Sequence, residues 1–76
     1  MRHMILAALA EKYRALITTH QTNLEIHFKH PTGVAEHIDH LETVEKELEK
    51  IAHYRDLLKE VEKLMKTVPL RTLTED

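Results

Sequence analysis

The chain has no cysteine, no tryptophan and no serine in 76 residues, and only one glycine and two prolines. Without cysteine it can form neither a disulfide nor a thiolate metal site. Without a serine or cysteine nucleophile, and without a glycine-rich loop to cradle phosphate, the common signatures of covalent catalysis and phosphoryl transfer are missing. The reading is therefore of a protein that is not an enzyme and uses no cofactor. The longest apolar run, residues 4–10, is followed directly by Glu11, Lys12 and Arg14. It falls far short of the ~20 residues of a membrane span, so no membrane partner is expected. Eleven basic and 13 acidic side chains are interspersed and leave a formal charge of −2. A nucleic-acid surface needs a basic bias, so duplex nucleic acid is not an expected partner either.

What remains is a chain of helix formers enriched in histidine, seven in all. Over about residues 3–29, Leu6, Leu9, Tyr13, Leu16, Ile17, Leu24 and Phe28 recur at intervals of three and four, the spacing of one helix face. Glu11 stands three residues before Arg14 and can pair with it. His20 and His27 fall on or beside this stripe, one heptad apart. Either they lie at its edge, bonded to neighbours, or they form a polar layer that sets register. Pro31 stops this helix, because the residue before a proline is pushed out of the helical region.

A second helix is expected over about residues 34–67, with Thr32 or Gly33 as its N-cap and Glu36 near its free amides. Its stripe runs Val34, Ile38, Leu41, Val44, Leu48, Ile51, Leu58, Val61, Met65 and Val68, widened by Leu57 and Leu64. Near Arg55 the heptad slips, so Tyr54 or Leu57 takes over and the apolar face turns around the helix. Pro69 ends it and leaves a tail over residues 68–76. The fold class expected is all-α: one domain, residues 1–76, an antiparallel two-helix hairpin joined by a turn at 30–33. Two helices cover only the surfaces that face each other, and an apolar stripe this wide calls for more cover. The hairpin is accordingly expected to assemble into a homo-oligomeric bundle, a dimer or a higher state, with itself as partner.

The turn holds the densest set of polar donors in the chain. Lys29, His30, Thr32, Gly33, His37 and His40 lie around the start of the second helix, whose free amides favour an anion. These six are the candidate binding residues, for a small phosphate-bearing ligand. His27 with His30 and His37 with His40 are also H-x-x-H pairs. A histidine-based metal site is thus an alternative, although the sequence lacks both the H-E-x-x-H signature and the Glu-x-x-His pairs of di-iron bundles. A third alternative is a hairpin in which the same residues only cap and solvate the turn.

The run His30-Pro31-x-Gly33-Val34-x-Glu36-His37-x-Asp39, followed by Glu45-x-Glu47-Leu48-x-Lys50-Ile51-Ala52-x-Tyr54-x-Asp56, resembles small phage-encoded helical-hairpin proteins. The likeness covers about residues 24–64. It implies a hairpin and a viral origin, with the cytoplasm of an infected bacterial host as the location. In size and architecture alone the chain is similar to phage hairpins that sequester nucleotide signals of bacterial immunity. Such an anti-defence sponge is the leading expectation; a phage structural, assembly or protein-interaction module is the main alternative.

Overall fold

The computed structural model describes residues 1–29 and 37–67, with side chains for all of these except 37–39. It contains two helices, α1 (Arg2–Lys29) and α2 (His37–Lys66), packed against each other. Among the described residues there is no strand. The N-cap positions expected at Thr32 and Gly33, and the residues that would lead α2 back to 34, lie outside the described residues, as does the tail at 68–76.

The threonines of α1 are accommodated by back-bonding. The Thr19 and Thr22 hydroxyls donate to the carbonyls of Ala15 and Thr18, one turn earlier, at 2.9 Å each. That local bond satisfies a side chain that would otherwise compete with the helix. Glu11 and Arg14 form the expected pair, 3.2 Å apart, and Arg14 also reaches across to Glu62 of α2 at 3.6 Å. All three side chains are about half exposed or more, so these contacts orient the helices more than they stabilise them.

The helices meet along a regular seam. Cross-helix contacts pair Tyr13 with Tyr54, His20 with Glu47 and His27 with His40, which fixes an antiparallel register. Extended by alternate steps of three and four, the seam takes His3, Leu6, Ala10, Tyr13, Ile17, His20, Leu24 and His27 from α1. From α2 it takes His40, Val44, Glu47, Ile51, Tyr54, Leu58, Val61 and Met65. This is an unbroken heptad on both helices, the pattern of a two-stranded antiparallel coiled coil. Each of these side chains is buried or half-buried. The tightest packing lies toward the free ends, where Leu6, Ala10 and Val61 form a cluster flanked by Leu9, Tyr13, Leu58 and Met65.

This seam differs from the stripes expected from hydropathy. Phe28, Leu41 and Leu48 stand 65%, 68% and 51% exposed, and Leu64 45%. The cause is that His40 and Glu47 hold the seam positions beside Leu41 and Leu48, so the leucines fall one position outside it. No slip occurs near Arg55: Tyr54 continues the seam and Leu57 is half-buried beside it. The turning apolar face is in fact two rows, the seam and a set of flanking leucines. Phe28, Leu41 and Leu48 each follow a seam residue, which places them on one flank of an antiparallel pair. Leu9, Leu16, Leu57 and Leu64 each precede one and lie on the other flank.

Candidate functional site

Of the six residues expected to bind, Lys29 is the last residue of α1 and is exposed. His30, Thr32 and Gly33 lie outside the described residues. His37 is the first residue of α2, with its side chain outside the description. His40 is half-buried on the seam, and its ring meets that of His27 edge to face, with ring centres 5.3 Å apart and planes at 66°. The end of the hairpin where the chain passes from α1 to α2 therefore carries two imidazoles in contact, with Lys29 two residues from one of them. His27 was not among the six expected residues. Its seam spacing from His20 was the signal that could have found it.

The second polar feature sits nearer the middle of the seam. His20 Nδ1 donates to Glu47 Oε1 at 2.6 Å, and Asn23 Nδ2 donates to the same oxygen at 3.1 Å. The His20 and Glu47 side chains are only 13% and 14% exposed. This is the polar layer rather than the edge position for His20. The hydrogen bond from His20 holds the Glu47 carboxyl below its ordinary pKa, with Asn23 and the charges of His20 and Lys50 acting the same way against the opposing effect of burial. The layer continues as a ladder of rings. Tyr54 stacks on His20 at 6.0 Å and 9° and on Tyr13 at 6.0 Å and 23°, and His53 meets Tyr54 edge to face at 5.2 Å.

In this layer Glu47 is engaged by two donors, is held as a carboxylate and faces the partner helix. Among the described residues no buried side-chain nitrogen or oxygen lacks a partner. The arrangement suits register selection, because sliding the helices by one layer would bury Glu47 against an apolar residue.

An open groove runs along α2 between Leu41, Val44 and Leu48, rimmed by Glu42 and Glu45. It runs beside the exposed leucine flank. Among the described residues no three His, Asp or Glu side chains converge as a metal cage, and no helix is long and apolar enough to cross a membrane. Compared with protein-family models, characterised proteins and solved structures, the chain has no significant match.

Proposed function

We propose that this is a non-enzymatic protein that works by association, and that its functional form is a homo-oligomer of the hairpin. One observation carries the proposal: Phe28, Leu41 and Leu48, on one flank of the seam, are 51% to 68% exposed in the isolated hairpin. Only Leu6, Ala10, Ile17, Ile51 and Val61 form its buried apolar core among the described residues. A core this thin is marginal for a chain of this size without a partner. A second hairpin laid on the flank would convert the groove at Leu41, Val44 and Leu48 into interior. Sedimentation of the wild type against a Leu41→Glu/Leu48→Glu variant tests this, since the charges should abolish assembly without unfolding the helices.

A second reading adds a ligand to that assembly. We propose capture of a small phosphate-bearing molecule, a nucleotide immune signal, at the connection end. The observation favouring it is the approach of His27 and His40 at the end of the hairpin that also carries Lys29, the last residue of α1. Melting curves with a panel of cyclic di- and trinucleotides test it. A ligand at 100 times its dissociation constant adds about 2.7 kcal/mol, which for a chain this short raises the melting temperature by roughly 10 to 20 °C. No shift with any member would leave the first reading alone, as a structural or interaction module. On either reading the viral origin and host-cell location are part of the proposal.

A further inference from the structure

We propose that His27 and His40 are the two protein ligands of a divalent transition-metal site at the connection end of the seam. The metals are those that take imidazole nitrogen, such as zinc or copper. The site needs no second hairpin. The geometry carries it: an ion about 2.0 to 2.1 Å from a ring nitrogen lies about 3.2 Å from the ring centre, and a tetrahedral angle then sets two ring centres about 5.2 Å apart. The two rings stand 5.3 Å apart, one from each helix. Both are half-buried on the seam, so the register of the whole hairpin holds their backbones at this separation. The ring separation that such a site requires is thus set by the fold before any ion arrives.

His20 shows the contrast. Its ring is engaged by a carboxylate at 2.6 Å, whereas among the described residues His27 and His40 touch each other and have no carboxylate or hydrogen-bond partner. Two imidazoles leave two positions of a four-coordinate ion to water, one more than in the usual open site with three protein ligands. Copper should bind more tightly than zinc, following the usual order for nitrogen donors. Only neutral imidazole binds metal, so affinity should fall on acidification.

The test is calorimetric titration of the tag-free full chain with zinc chloride and copper sulfate, at about pH 7.5 and again at about pH 5.5. The expected result is saturable binding of one ion per chain at the higher pH and at least tenfold weaker binding at the lower. His27→Gln and His40→Gln should each weaken it at least tenfold while His53→Gln leaves it unchanged. Imidazole proton–nitrogen spectra of the wild type read the site without any substitution: zinc should shift the rings of His27 and His40. Failure to saturate, survival of binding in a folded His27→Gln/His40→Gln variant, or zinc shifts confined to other rings would overturn the site and leave the pair as edge-to-face packing. The ion is expected whether the wild type sediments as one hairpin or several, so the outcome is separable from that of self-assembly.

Discussion

Replacing Glu47 with alanine removes the acceptor of two hydrogen bonds and leaves His20 Nδ1 and Asn23 Nδ2, both in a half-buried layer, without it. A hydrogen bond to a charged group contributes about 1.5 to 3 kcal/mol, and removing one partner of a fully buried ion pair costs about 3 to 5. His20 and Glu47 retain 13% and 14% exposure, so water partly replaces the lost contact and the expected cost is nearer 2 kcal/mol. For a domain this size that lowers the melting temperature by roughly 8 to 16 °C. His20→Ala carries an extra loss, since the ring also stacks on Tyr54, but a double-mutant cycle cancels it. Measured by thermal unfolding at one fixed protein concentration, the double variant should cost about 1 kcal/mol less than the sum of the singles. A single-variant cost below about 0.5 kcal/mol, or strict additivity, would refute the view that this pair holds the register.

Acid should weaken the hairpin through the same carboxylate. Because the Glu47 pKa is depressed, its contribution is present above the ordinary carboxylate range of about pH 4 to 5 and is lost as pH falls beneath it. Melting temperature measured between about pH 6 and pH 3 should therefore fall more for the wild type than for Glu47→Gln, which lacks the titrating group. Core and flank should also separate. Ile51, 5% exposed, should cost about 2 to 4 kcal/mol on truncation to alanine by denaturant unfolding. Leu48, 51% exposed, should cost under about 0.5 kcal/mol in dilute protein and more only as concentration rises and assembly sets in.

The two helices and their antiparallel pairing were legible because apolar spacing of three and four over some thirty residues admits little else, and Pro31 marks where α1 must end. The seam was less legible, and the reason is specific. A search for apolar residues selects Leu41 over His40 and Leu48 over Glu47, and so moves the stripe of α2 by one position. The strict heptad appears only when polar residues are allowed on it, and what allows them is a partner: Glu47 can be buried because His20 and Asn23 arrive from α1. Nothing in the local sequence of α2 announces that. In α1, Leu9 outranks Ala10 in hydropathy, yet it is the small Ala10, 2% exposed, that lies on the seam. Of the binding set, only Lys29 and His40 fall where their side chains are described. His40 proved to face His27 across the seam instead of standing with the turn residues alone.

Self-assembly is the central claim, and sedimentation velocity at micromolar protein tests it most directly. The account predicts a wild-type mass at a multiple of the 8.9 kDa chain, and a Leu41→Glu/Leu48→Glu variant at 8.9 kDa with its helical circular dichroism retained. A wild type that sediments as a single 8.9 kDa chain across the micromolar range would contradict it.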